Sequence, residues 1–127
     1  MLNKHTNFIA STSEHIVSGE LFDTPAEVKF TPVAYVWRHS DGTTLRTSTP
    51  GATWKQLRQP EFSQTATSHK FTTKQSFSTE LTVEYEAAYR IGGGTWIPIT
   101  GTVAANTAIP NQVRVFEVDT VLTTPEQ

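Results

Sequence analysis

The stretch at residues 77–91, which reads FSTELTVEYEAAYRI, decides the fold class. Apolar side chains occupy all of its odd positions except Thr79, while the even positions carry mostly glutamate and hydroxyl side chains. A period of two predicts a β-strand with one buried face, whereas a helix would mix glutamates and aromatic rings on one stripe. The run is long for a single strand, so we expect a bulge near Ala87 and Ala88.

The residues that follow predict a hairpin. Gly92, Gly93 and Gly94 can take positive φ angles, and residues 95–103 alternate again as a return strand. Pro98 cannot donate a hydrogen bond to a neighbouring strand, which predicts an edge strand or a bulge there. A third run, at residues 112–122, changes phase midway and predicts another bulge.

Upstream, the apolar positions change phase at Pro32. Val28 lies on the even phase and Tyr35 on the odd one, so we expect two strands that meet at a break. Residues 40–43, Ser-Asp-Gly-Thr, are typical of a turn, and a strand at 44–48 leaves it.

Two shorter elements complete the predicted fold. Thr53 and Gln56 have capping-box spacing and predict a single helical turn, and residues 68–71 predict a short strand. Together these signals predict an all-β, immunoglobulin-like β-sandwich of seven to eight strands with one short helical turn.

The chain length suits one domain. We expect the sandwich at residues 21–123, a tail at 124–127, and a loose N-terminal segment at 1–20. Within that segment, the pairs Phe8-Ile9 or Ile16-Val17 can add a terminal strand.

Composition excludes several classes of function. The chain has no cysteine, which removes disulfides, thiolate zinc sites and cysteine nucleophiles. The net charge of −2 gives no basic surface for nucleic acid or anionic lipid. No stretch is apolar enough to span or insert into a membrane, and the first residues do not form a signal peptide.

Three segments resemble the PKD domain, an immunoglobulin-like sandwich. Residues 35–43, YVWRHSDGT, resemble the aromatic strand and turn of that family, which is commonly written YxWDFGDG. Residues 67–71, TSHKF, are similar to its THxY segment, and residues 77–83, FSTELTV, to the strand that follows. The chain departs from the pattern at Arg38, His39 and Ser40.

A narrower similarity, to PKD-like domains of small secreted or lipid-anchored actinobacterial proteins, covers residues 53–57, 60–62, 89–96 and 99–102. It implies an exported or cell-surface protein without assigned activity. The PKD resemblance implies that His69 bonds a neighbouring backbone group. The residues of the structural motif are Tyr35, Trp37, Asp41, Gly42, His69 and Phe71.

The chain shows little catalytic chemistry, and we expect no catalytic residue, no metal site and no cofactor. The histidines lack zinc-site spacing, and no nucleotide or nucleophile motif is present. Glu84 and Glu86 lie about 7 Å apart along one strand face, near glycosidase spacing, but charges of this kind also protect solvent-facing strands. A weak calcium site remains an alternative, because four carboxylates lie near predicted loops: Asp23, Asp41, Glu61 and Asp119.

Three aromatic residues are candidates for binding: Trp54, Trp96 and Tyr89. Rigid aromatic rings anchor protein and sugar interfaces, although each tryptophan could also cover an open end of the sandwich. We therefore expect a non-enzymatic module that binds an envelope protein or a glycan, or acts as a spacer. The alternatives are a carbohydrate-binding module and a structural component such as a pilus accessory or virion decoration protein.

Overall fold

The computed structural model describes residues 3–72, 78–109 and 117–121. These residues form strands and one short helix, and no helix among them is long and apolar enough to cross a membrane. The elements in chain order are β1 (His5–Ser11), β2 (His15–Leu21), β3 (Thr24–His39), β4 (Thr44–Thr47), α1 (Trp54–Leu57), β5 (Ser68–Lys70), β6 (Thr79–Ile91), β7 (Ile97–Ile109) and β8 (Glu117–Val121).

The strands form two sheets. The small sheet has the order β5-β1-β8, in which β1 and β8 run parallel. The large sheet has the order β2-β3-β6-β7, and β4 also pairs with β3. The prediction of an all-β fold with two sheets is therefore confirmed.

The core lies between the two sheets. Trp37 of β3 and Leu81 and Val83 of β6 are fully buried. Phe8 of the small sheet meets them, because its ring centroid lies 5.7 Å from that of Trp37. Trp37 thus fills the space between the sheets, as the sequence predicted.

The alternation in β6 has the predicted phase. The odd positions from Thr79 to Ala87 are buried, and Glu80 and Glu86 on the even positions are exposed. The expected bulge lies between Glu86 and Ala87, whose partners in β7 are Thr102 and Ile99. The extra residues are therefore in β7, where Gly101 takes a φ of +96°.

The prediction of two strands that meet at Pro32 is wrong in one respect, because β3 is a single strand of 16 residues. Pro32 pairs with Tyr85 and Ala34 with Glu84, so Val33 is the extra residue of a bulge. A bulge changes which side chains face the core without ending the strand. This accounts for the change of phase between Phe30 and Tyr35.

The local turn predictions are confirmed. The Asp41 carboxylate accepts a hydrogen bond from the backbone N–H of Thr43 at 3.0 Å, and Gly42 takes a φ of +91°. Thr53 and Gln56 form a complete capping box at the start of α1. The glycines after β6 form the tight connection to β7.

The N-terminal segment is more ordered than residues 1–20 were expected to be. Phe8 and Ile9 lie in β1, which brings Phe8 and Ala10 into the core. Ile16 and Val17 lie in β2, which pairs with β3 along its whole length. The sandwich thus begins at β1 rather than at residue 21. The predicted bulge before β8 and the tail at 124–127 lie outside the described residues.

Candidate interaction surface

Trp54 is not a surface contact, which corrects the sequence prediction. Its side chain is 3% exposed, and the indole Nε1 donates a hydrogen bond to the backbone oxygen of Ser63 at 3.0 Å. The ring also packs against Phe62, with centroids 5.6 Å apart. The capping box starts α1 directly before Trp54, and this short helix buries the indole under the loop that follows it.

Trp96 lies on the outer face of the large sheet and is half-buried. Lys29 Nζ lies 4.6 Å from the centre of its ring, and Arg90 Cζ lies 4.4 Å from it. Arg90 is itself paired with Glu27 at 2.6 Å. Cation–π contacts of this kind hold the indole against the sheet and occupy ring surface that a ligand would need.

Tyr89 lies on the opposite face of the same sheet. It is directly opposite Val28 of β3 and Ile97 of β7, both of which face the core side. A flat sugar-binding platform needs aromatic rings that are coplanar on one exposed face. Trp54, Trp96 and Tyr89 do not form such a platform, since one is buried and the other two lie on opposite faces.

The aromatic residues of the PKD-like motif are core residues. Tyr35, Trp37 and Phe71 are at most 4% exposed. The polar atoms of Tyr35 and Trp37 are hydrogen-bonded within the domain. The Tyr35 hydroxyl bonds the Thr12 hydroxyl, and the Trp37 indole donates to the Thr47 hydroxyl. These residues therefore stabilise the sandwich.

A histidine cluster joins the turn after β3 to β5. His69 Nε2 bonds the Asp41 carboxylate at 2.6 Å, and its ring stacks on that of His39 with centroids 4.0 Å apart. His39 Nδ1 in turn bonds the Thr79 hydroxyl at 2.8 Å. The expectation that His69 bonds a neighbouring backbone group is thus corrected: its partner is the side chain of Asp41, in the turn between β3 and β4.

The electrostatics of this cluster follow from burial and hydrogen bonding. Burial lowers the pKa of His39 to about 4, with a further lowering by His69 and an opposing effect of Asp41. Desolvation acts to raise the pKa of Asp41, but hydrogen bonds from His69 and Thr43 outweigh it and lower this pKa to about 2. Asp41 is therefore ionised and His39 neutral at pH 7.

The cluster has the geometry of a structural contact between sheets. The hydroxyl that bonds His39 Nδ1 belongs to Thr79, which is 3% exposed and thus closed to a substrate. Within the described parts of the chain, no group of three or more His, Asp or Glu side chains could hold a metal ion. Sequence reasoning missed the stacking of the two histidines, although Asp41 and His69 both lie in the motif.

Two of the three glutamates of β6 form ion pairs with arginines. Glu80 contacts Arg38 at 3.1 Å, and Glu84 contacts Arg46 at 2.7 Å. The hydrogen bond from Arg46 lowers the pKa of Glu84, which is the opposite of what a general acid needs. These side chains are part of a charged outer face.

A different surface stands out on the core-facing side of the large sheet. The small sheet covers this side around Trp37 but leaves large apolar side chains exposed at the other end. These side chains point to the same side of the sheet as core residues. In the pairing of β6 with β7, Ile99 is opposite Ala87 and Val103 is opposite Tyr85. We call this surface the open apolar face. It consists of Leu21, Ile91, Ile97, Ile99 and Val103, which are 38–46% exposed.

The sequence predicts the direction of these side chains but not their exposure. The odd positions of β6 and the return strand predict apolar side chains up to Ile91 and Ile97, further along the strands than the small sheet reaches. Alternation indicates which way side chains point, but a contact between distant segments decides whether they are covered.

Comparison of the chain with protein-family models, with curated proteins and with solved structures finds no match in any of the three, so the PKD resemblance rests on the sequence motifs alone.

Proposed function

We propose that this chain is a non-enzymatic β-sandwich module that binds another protein through the open apolar face. The observation that carries the proposal is the exposure of five large aliphatic side chains on the side of the large sheet that elsewhere forms the core. Several exposed apolar side chains on one face are characteristic of interfaces, because covering them removes apolar area from water.

A protein partner is favoured over a glycan by the chemistry of the face. Its exposed side chains are aliphatic, and aliphatic surface packs against other aliphatic or aromatic side chains. Sugar recognition uses flat aromatic rings with polar groups around them. Trp96 has such a ring, but Lys29 and Arg90 already lie over it.

The non-enzymatic part of the proposal is supported by the state of the titratable groups. The Asp41–His69 pair is used to join the two sheets, and the carboxylates of Glu80 and Glu84 pair with arginines. The hydroxyl that bonds His39 belongs to the buried Thr79. Export to the cell envelope is the setting that the PKD resemblance implies, and it makes an envelope protein the expected partner.

Site-specific photo-crosslinking in cells that produce the protein tests the proposal. A benzophenone amino acid replaces Ile97 on the open apolar face or, as the control, Lys55, which is exposed on α1. We expect a discrete protein adduct from position 97 that is absent from position 55, and mass spectrometry identifies the partner.

Substitution provides the second arm of this experiment. Ile99→Asp places a charge in the centre of the face, so it should abolish the adduct from position 97 while the far-UV circular dichroism remains unchanged. The proposal is wrong if both positions give the same adducts, if neither gives one, or if Ile99→Asp leaves the adduct intact in a folded protein. Fractionation of the same cells tests the envelope location.

A further inference from the structure

The turn between β2 and β3 carries the most exposed large apolar side chain in the described part of the chain. Phe22 is 93% exposed. It forms a two-residue turn with Asp23, since Leu21 and Thr24 on either side are paired with each other. Phe22 has a φ of +52° and Asp23 a φ of +64°. Turns with two positive φ angles favour Asn and Gly, because a bulky side chain is strained in this conformation.

Packing within the domain does not explain why a phenylalanine occupies this position. Phe62 also takes a positive φ, of +66°, but its ring packs against the buried Trp54 and removes apolar area from water. The ring of Phe22 lies almost wholly in water and gains no comparable stabilisation. Strained residues of this kind are concentrated at binding sites and active sites.

We propose that Phe22 anchors the partner of the open apolar face, and that this partner is a different protein with an apolar pocket bordered by basic side chains. The inference rests on the proposed function, because it specifies the partner of the same face. Phe22 directly follows Leu21, which belongs to the face, so a partner that covers this end of the face also reaches the ring. An aromatic ring that enters a pocket of the partner is the usual form of a binding hot spot.

The charges around the turn indicate the chemistry of the pocket's border. Glu20 and Asp23 lie on either side of Leu21 and Phe22, and both are exposed. Residues 5–28 contain no lysine or arginine, and no ion pair in the described part of the chain involves either carboxylate. Basic side chains of the partner would pair with these carboxylates and speed the encounter. The same carboxylates disfavour an anionic membrane surface.

Photo-crosslinking from the turn itself tests the anchor. The benzophenone amino acid replaces Phe22, whose aromatic ring it retains, or, as the control, Thr43, which is exposed in the turn at the other end of β3. In cells that produce the protein, position 22 should give an adduct with the same protein that position 97 captures, and position 43 should give none. Mass spectrometry of the crosslinked peptide should find apolar and basic residues of the partner next to the ring.

Substitution separates binding from folding. Phe22→Asn removes the ring and supplies a residue that adopts a positive φ readily. It should raise the midpoint of urea unfolding, yet lower the adduct from position 97 at least about tenfold. The matched control is Phe62→Asn, the same change at the other phenylalanine with a positive φ. It should lower the urea midpoint, because it removes the ring that packs on Trp54.

The basic border is tested with the purified partner. Glu20→Gln should weaken its binding about threefold at low salt, because it removes one of the two carboxylates beside the ring. Glu61→Gln removes an exposed carboxylate from the loop after α1 and should leave the affinity unchanged. Equal affinities of the wild-type chain and Glu20→Gln would contradict the basic border.

A membrane is the alternative target of an exposed phenylalanine. Cosedimentation with phosphatidylcholine vesicles, and with vesicles that also contain phosphatidylserine, tests it. We expect the wild-type chain to stay in the supernatant with both. Vesicle binding that Phe22→Asn abolishes would assign the ring to lipid and overturn the protein partner.

The outcomes separate this inference from the proposed function. If Phe22→Asn leaves the adduct from position 97 intact, the anchor is wrong and the proposed function stands. The anchor is also wrong if Phe22→Asn lowers the urea midpoint, since the ring would then stabilise the fold. A crosslink from position 22 to a second copy, or to another segment of the same chain, overturns it as well. The absence of an adduct from position 97 in the otherwise wild-type chain overturns both.

Discussion

Apolar and polar residues alternate at both ends of the large sheet, but the apolar side chains are buried at one end and exposed at the other. At one end, which we call the closed end, Leu81 and Val83 are fully buried beneath the small sheet. At the other, the open end, Ile97 and Ile99 point to the same side and are 46% and 43% exposed. Alternation therefore encodes the direction of a side chain, while its burial depends on whether another segment lies over it.

The largest expected difference between the ends comes from deleting aliphatic side chains. Leu81→Ala at the closed end should lower the free energy of unfolding by about 3–5 kcal/mol, because it leaves a cavity in a packed core. Ile99→Ala at the open end should cost about 1 kcal/mol, since much of its side chain is already in water. Urea denaturation measures both. Equal losses would mean that the two ends are equally covered in solution.

The closed end should also respond to pH through His39. Its pKa of about 4 in the folded chain lies below the ordinary value of 6.5, so the unfolded chain binds more protons between these values. Stability should therefore fall as the pH drops from 6.5 to 4, by up to about 3 kcal/mol.

The control for this prediction is His39→Gln, which removes the titrating group. Its free energy of unfolding should vary less over that pH range than that of the wild-type chain, as measured by urea denaturation at several pH values. Below pH 4, protonation of Asp41, whose pKa is lowered to about 2, should destabilise both proteins. An unchanged slope in the variant would exclude His39 as the source.

A hydroxyl group gives a smaller and better matched comparison, because valine and threonine have nearly the same shape. Val83→Thr at the closed end should cost about 1–3 kcal/mol, since it buries a polar group among apolar side chains. Val103→Thr at the open end, where the side chain is 38% exposed, should change stability by about 0.5 kcal/mol or less. Thermal unfolding of the two variants side by side is the measurement. A larger loss of stability in Val103→Thr than in Val83→Thr would contradict this prediction.

The smallest effect concerns the bulge between the two ends. Gly101 has a φ of +96°, a conformation that an alanine rarely adopts, so Gly101→Ala should cost about 1 kcal/mol. Gly19→Ala, in β2, is the control: it has open space around its Cβ position and no positive φ, so it should be neutral or slightly stabilising. Similar losses in both variants would argue against backbone strain at the bulge.

The features that the sequence predicted correctly depend on residues close together in the chain. The phase of β6, the turn at Asp41-Gly42 and the capping box of Thr53 and Gln56 are all local signals. Each is set by alternation or by a side chain that bonds a nearby backbone group. Such signals are the same whatever the rest of the chain does.

The features that the sequence did not predict depend on contacts between residues far apart in the chain. Trp54 is buried because a loop folds over it, and His39 meets His69 because two sheets come together. The open apolar face exists because the small sheet covers only part of the large one. Nothing in the residues near Ile97 indicates where the small sheet ends, so exposure there could not be predicted from the local pattern.

The parallel pairing of β1 with β8 has a mechanical consequence. Five consecutive residues of β1, from Asn7 to Ser11, are in register with β8. In a parallel pair, a pull on the start of one strand and the end of the other acts along the strands. All the hydrogen bonds between them would then bear the load together instead of opening one after another. We expect the domain to resist stretching by its two ends, which is a useful property for a spacer under tension.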